Sequence, residues 1–171
     1  RIPEEALQEL QERFALIYTG QRRLARNLLR DVVGGYLGGR PESIDALEKM
    51  QSLAVLMRFE LERGNIDAFA SLLNRHWELS KQLDEGSTNT CIEQIFLSCE
   101  DLIDARFIAG AGGGGFLQVI LKKGCTKQML QERLSGRANS YKGRPSAHLR
   151  LRCTNRAISS MRGYAYWKKS R

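Results

Sequence analysis

The chain has 171 residues, of which 42% are hydrophobic and 27% charged, with 16 Gly and 3 Pro. Those values fit one globular domain able to bury a core, and they exclude collagen-like, low-complexity and wholly disordered chains. The formal net charge of +8 is uneven: residues 135–171 hold ten of the 27 basic residues and none of the 19 acidic ones, so residues 1–134 are nearly neutral.

The chain starts at Arg1 rather than Met, so a processed chain or a fragment is expected. No charged-then-apolar leader is visible, and the apolar runs fall short of the ~20 residues of a membrane span, so no membrane partner is expected. Residues 3–13 predict a short charged helix, with Pro3 at its start and acids in its first turn. Phe14–Tyr18 is an apolar run ending at Thr19-Gly20 and predicts a buried strand. Leu24, Leu28 and Val32 recur at helical spacing, and the Gly34-Gly35…Gly38-Gly39 cluster with Pro41 ends that helix.

Ile44, Leu47, Ala54, Met57 and Leu61 share one stripe and predict a long helix over 43–63, stopped by Gly64. Asn65 caps the next, where Ile66, Phe69, Ala70, Leu73 and Trp77 share a face. A polar turn over 84–89 follows, and Thr90-Cys-Ile-Glu93 reads as a capping box opening a helix to about Leu102. Residues 106–109 and 116–121 read as strands around a run of glycines, and residues 126–134 as a last helix. Helices and strands do not alternate regularly. The expected fold class is α+β, several helices packed on a small antiparallel sheet, with an irregular basic tail.

Cys91, Cys99, Cys125 and Cys153 form no C-x-x-C pair, and neither His76 nor His148 lies at metal-ligand spacing from them. Reduced thiols, a cytoplasmic location and no metal site are the expectation. His76 and Trp77 read as packing residues. Asp101 and Asp104 read as a solvated helix end, and Asp31, Asp45, Asp67 and Asp84 show no partner in the sequence.

The segment Gly110-Ala111-Gly112-Gly113-Gly114-Gly115-Phe116 carries the most information. Four consecutive glycines are costly in backbone entropy, so the folded chain needs them. Gly110, Gly112 and Gly115 satisfy G-x-G-x-x-G, but the loop runs into a strand rather than a helix, against a dinucleotide fingerprint. No Lys-Ser/Thr pair follows, against a P-loop. Two readings remain: a tight strand connection needing positive φ, or a backbone nest that accepts an anion beside a phosphate or sugar.

With the strands on either side, residues 109–116 resemble the third motif of the GHMP sugar and mevalonate kinases. Tyr18-Thr-Gly-Gln-Arg-Arg-Leu-Ala25 resembles the segment opening the C-terminal lobe in the fucokinase and heptose-kinase branch. Residues 64–77, Leu83-Asp84 and Ser87-Thr-Asn89 are similar to a helix pair and turn of that branch. The resemblance covers about residues 14–134 and is strongest to plant-type bifunctional fucokinases. It implies a GHMP kinase C-terminal lobe over 1–134. It also implies Gly110, Ala111, Gly112, Gly113, Gly114 and Gly115 as site-lining, with Tyr18, Thr19, Gly20 and Arg23 near the substrate. Arg23 there could meet a phosphate, although beside Arg22 it also reads as a solvated helix start.

The resemblance further implies a parent that passes a phosphoryl group from ATP, with Mg²⁺, to the anomeric hydroxyl of L-fucose or a similar sugar. This chain contains no Pro-x-x-x-Gly-Leu-x-Ser-Ser run, the family's ATP loop, and no counterpart of its catalytic acid. It therefore offers no catalytic residue of its own. It is expected to be inactive, and to bind no cofactor, without an N-terminal lobe.

Residues 135–171 match nothing in the family and are expected to be a disordered basic tail, lacking the strand that would return to the sheet. They read as a true arm, an alternative chain end or a shifted frame. If the arm is genuine, the competing function is a non-catalytic module that contacts nucleic acid through interleaved Arg, Tyr and Trp.

Overall fold

The computed structural model describes residues 1–19, 25–110, 112–140 and 150–152. Gly20, Arg22, Arg23, Leu24 and Ala111 lie outside the described residues, as do residues 141–149 and 153–171 of the tail.

Helix α1 (Glu4–Arg13) begins after Pro3, and its acids Glu4 and Glu5 sit in the first turn, where the helix dipole favours them. Strand β1 (Phe14–Tyr18) follows without a break and buries alternate residues, Ala15 and Ile17. Helix α2 (Ala25–Leu37) runs through Gly34-Gly35, and it is the second glycine pair that ends it. There Gly39 turns left-handed at φ 66°. Gly35 stays helical because it lies against α3: a Cβ on it would come within 2.7 Å of Ser43 Oγ.

Helix α3 (Pro41–Glu62) starts with Pro41 at its head, where the missing N–H costs nothing. Gly64, at φ 77°, turns the chain into α4 (Ile66–Leu83). Asn65 caps α4 by accepting from the Ala68 N–H. Residues 85–87 make one 3-10 turn, closed where Asp84 Oδ1 accepts from the Gly86 N–H at 3.1 Å.

Helix α5 (Thr90–Ser98) is capped by Asn89, one residue before the expected Thr90. Thr88 instead donates its hydroxyl to Glu93 at 2.7 Å. The helix stops at Ser98, and residues 100–102 form a separate 3-10 turn. Strand β2 (Ile103–Ala109) begins three residues earlier than expected, β3 (Phe116–Leu121) lies where it was read, and α6 (Lys127–Ser140) extends six residues beyond Leu134. Arg150–Arg152 forms a short strand, β4.

The sheet is antiparallel in the order β2-β3-β1-β4. The return strand expected to be missing is thus present in part, because Arg150–Arg152 pairs with the outer edge of β1. At one end of the sheet Ala109, Phe116, Tyr18 and Arg150 form a single cross-strand row. The glycine segment projects from that end.

Each sheet face carries helices. Ala15, Ile17, Leu117, Val119 and Leu121 pack with Ile92, Ile95 and Phe96 of α5 and Leu130 and Leu134 of α6. Ala105 and Ile120 pack on the other face with Ala6 and Leu10 of α1 and Ile66, Ala70 and Leu73 of α4. Alternation along β1 and β3 sorts the side chains between these two cores, as a two-residue period requires. The outward backbone of β2 is answered by one side chain: Asn74 donates to the Asp104 carbonyl at 2.7 Å and accepts from the Arg106 N–H at 3.0 Å.

Candidate functional site

Four of the glycines between β2 and β3 are held in conformations that other residues rarely adopt. Gly110, Gly112, Gly113 and Gly115 have φ of 94°, 89°, 72° and 84°. Gly112 is required on a second ground. A Cβ there would meet the Cα and the carbonyl oxygen of Ser87 at 2.7 Å, and both are backbone atoms that cannot swing aside.

Two walls brace this loop. On one side the Thr19 N–H and hydroxyl both donate to the Gly115 carbonyl, at 2.9 and 3.1 Å. Thr19 is buried, and beside it the Tyr18 and Phe116 rings lie 5.0 Å apart. On the other side the Gly113 N–H donates to the Ser87 carbonyl at 2.8 Å, and the Asn89 amide donates to the Gly113 carbonyl at 3.1 Å. Ser87 is itself buried and tied back to α4 through its hydroxyl, which donates to the Ser80 carbonyl at 3.1 Å. The structure thus joins Tyr18, Thr19, Gly112, Gly113 and Gly115 with Ser87 and Asn89, while Gly20, Arg23 and Ala111 are outside the described residues.

The loop is therefore a fixed connection as well as a candidate nest. Consecutive backbone N–H groups around left-handed glycines form a concave donor surface suited to an anion. Among the described residues of its walls, the Thr19 and Ser87 hydroxyls are both engaged with backbone carbonyls. Asp84, at the foot of the second wall, keeps its Oδ2 buried without a hydrogen-bond partner. The sequence carried a signal for it, since Asp followed two residues later by Gly is an Asx-turn pattern. Among the described residues no group of three or more His, Cys, Asp or Glu could hold a metal ion. The described residues therefore offer no ready-made cage for Mg²⁺. Nor, among them, is any helix long and apolar enough to cross a membrane.

Of the acids read without a partner, Asp67 and Asp45 prove to be paired, Asp67 with partners from distant segments. Arg13, buried at the end of α1, donates to Asp67 and to Asp104, each at 2.7 Å, to Glu9, and to the Leu121 carbonyl at 2.7 Å. Lys123 reaches Asp67 at 2.7 Å. Hydrogen bonds from Lys123 and then Arg13 hold the Asp67 carboxyl below its usual range. Arg133 grips both Asp101 oxygens, at 2.7 and 2.9 Å, and those bonds lower Asp101 likewise. Asp45 pairs with Lys49 one turn away. His76 and Trp77 are packing residues, both edge-on to Phe107. Burial lowers the His76 imidazole and pushes the Cys99 thiol up to about 11.

No protein-family model matches the chain. It is 28% identical over 134 residues to the bifunctional fucokinase/GDP-fucose pyrophosphorylase of Arabidopsis thaliana, a match covering 78% of this chain and 13% of that protein. It is 31% identical over 107 residues to the L-fucokinase/L-fucose-1-P guanylyltransferase of Bacteroides fragilis, covering 63% of this chain and 11% of that one. The chain thus spans only a small part of either relative. In structure it is similar to the mevalonate kinase of L. major solved with R-mevalonate, with a TM-score of 0.64 at 15% identity over 82% of this chain and 41% of that one. The α+β architecture is the one these kinases share. In sequence the chain is similar to fucokinases, and in fold to kinases of the GHMP family.

Proposed function

We propose that this chain is the C-terminal lobe of a cytoplasmic, ATP-dependent sugar kinase of the fucokinase type, with residues 1–134 as its core. Its substrate is L-fucose or a closely similar sugar, phosphorylated at the anomeric hydroxyl. The observation that carries the reading is the glycine loop, held at the open end of the sheet between Thr19 and the Ser87–Asn89 turn. The similarity to two fucokinases supports the choice of sugar.

Phosphoryl transfer asks a protein chiefly for positioning and for donors aimed at moving charge. The share of this lobe is the braced glycine loop, against whose rim a phosphate or sugar oxygen rests. ATP with its metal, held in the whole enzyme, would supply the phosphoryl group and the charge neutralisation. The phosphate-wrapping loop and the acid come from an N-terminal lobe. The named relatives lend nothing to the nucleic-acid alternative.

The test is an assay of the native polypeptide captured with an antibody to residues 84–99. The expected result is ATP-dependent conversion of L-fucose to its 1-phosphate by a species well above 19.4 kDa. A captured species that phosphorylates neither L-fucose nor a heptose overturns the reading.

A further inference from the structure

Asn89 does two jobs with one amide. Its Oδ1 accepts from the Ile92 N–H at 3.1 Å, which caps α5. Its Nδ2 donates to the Gly113 carbonyl at 3.1 Å. The same glycine gives its N–H to the Ser87 carbonyl at 2.8 Å. Both polar groups of the Gly113 backbone are therefore held by the 84–89 turn, and Gly112 beside it has no room for a side chain against Ser87. Gly113 and Gly114 are buried, so this clamp sits under the loop and not at its rim.

We propose that Asn89 is a positioning residue for the glycine loop, tying its central peptide to the N-terminus of α5 so that loop and helix keep one relative placement. The proposal rests on the reading of the loop as the substrate or phosphate wall. It goes beyond ordinary capping for a chemical reason. A cap needs only an acceptor, and Ser, Thr or Asp would serve α5 as well. Of the four common capping residues, Asn alone combines that acceptor with an NH₂ group that can donate to a second backbone at the same time. A carboxylate at 89 keeps the helix start and has no donor for the loop, and a hydroxyl carries its one donor on the same oxygen that caps.

Asn89→Asp separates the two roles. The carboxylate still accepts from Ile92, and its charge suits a helix N-terminus. Its second oxygen faces the Gly113 carbonyl and repels it. Amide hydrogen exchange on the full 171-residue chain reads the loop directly. Asn89→Asp is expected to speed exchange across Gly113, Gly114 and Gly115 about tenfold or more, while the α5 amides and the melting temperature stay near wild type. Asn89→Ala, which loses both bonds, is expected to speed exchange in the loop and in the first turn of α5. Wild-type exchange at all three glycines in Asn89→Asp overturns the proposal.

A second readout separates this proposal from the functional one. In the native enzyme carrying Asn89→Asp, kcat/KM for L-fucose is expected to fall about tenfold, with ATP consumption still coupled to sugar phosphorylation. Faster loop exchange with unchanged kcat/KM supports the clamp and overturns the placement of the loop at the reacting centre.

Discussion

A methyl group added at Gly112 and one added at Gly110 test the same backbone strain against different surroundings. Both residues are left-handed, but Gly110 faces open space and Gly112 faces the Ser87 backbone at 2.7 Å. Left-handed strain alone costs about 1–2 kcal/mol. Gly110→Ala is expected to lose about that much in urea unfolding, and Gly112→Ala clearly more, since the loop or the turn must move. Equal losses would show that the close approach is not real. Cys99 offers a second test. Its thiol is fully buried and raised to about 11, so at pH 8 only about one molecule in a thousand carries the thiolate. A thiol reagent is expected to modify the half-buried Cys91 and Cys125 in the folded chain and to reach Cys99 only on unfolding, as peptide mapping would show. The glycines were legible in the sequence because a positive φ is a local demand, whereas Thr19 stood out only by resemblance, its partner Gly115 lying far along the chain. Arg13 was not legible. It reads as one more charge on a charged helix, and what buries it, Asp67 and Asp104, lies far along the chain.

Among the elements, the boundaries with their own signals were legible, Gly64 after α3 and Asn65 at the start of α4, whereas Pro41, read as closing the preceding helix, heads α3 two residues before its expected start. The start of α5 was misread by one residue because Asn89 and Thr90 are both good caps, and only the carbonyl of Gly113 decides between them. The outer edge of β2 could not be read at all, since its partner is a side chain on α4. Asn74 satisfies one N–H and one carbonyl that would otherwise face solvent or another strand. Asn74→Leu is expected to cost about 1–3 kcal/mol of stability and to increase self-association, measured by chemical denaturation and by sedimentation. A monomer as stable as wild type would mean the bridge does not guard the edge.

For the molecule as a whole, two sets of groups shape the response to acid. Asp67 and Asp101 titrate below their usual value of 3.8 because Lys123, Arg13 and Arg133 hold them as anions. A carboxyl whose folded value is depressed contributes stability that is present above its unfolded value and lost as pH falls through the folded one. Stability is therefore expected to fall modestly below about pH 4, since both carboxyls are more than half exposed. His76 acts at a higher pH with the same sign. Its folded value lies below 6.5 because burial disfavours the cation, so the unfolded chain takes up protons first and stability declines as pH falls from there. His76→Phe is expected to flatten the part of the profile just below pH 6.5 and leave the drop below pH 4 in place. An unchanged shoulder in that variant would assign it to another group.

The row Ala109, Phe116, Tyr18 and Arg150 also sets an order of events as the chain folds. Strands β2 and β3 are close in sequence, separated only by the glycine-rich residues 110–115. β1 must wait for partners about a hundred residues later, a loop closure that slows pairing. Pulse-labelled refolding is expected to protect β2 and β3 before β1; simultaneous protection would argue against this order. The glycine hairpin is then born unsupported on the Thr19 side. A newly made chain spends its first moments with the hairpin formed and that wall absent, and any helper or misfolding partner that reads exposed glycine backbone has its opportunity in that interval.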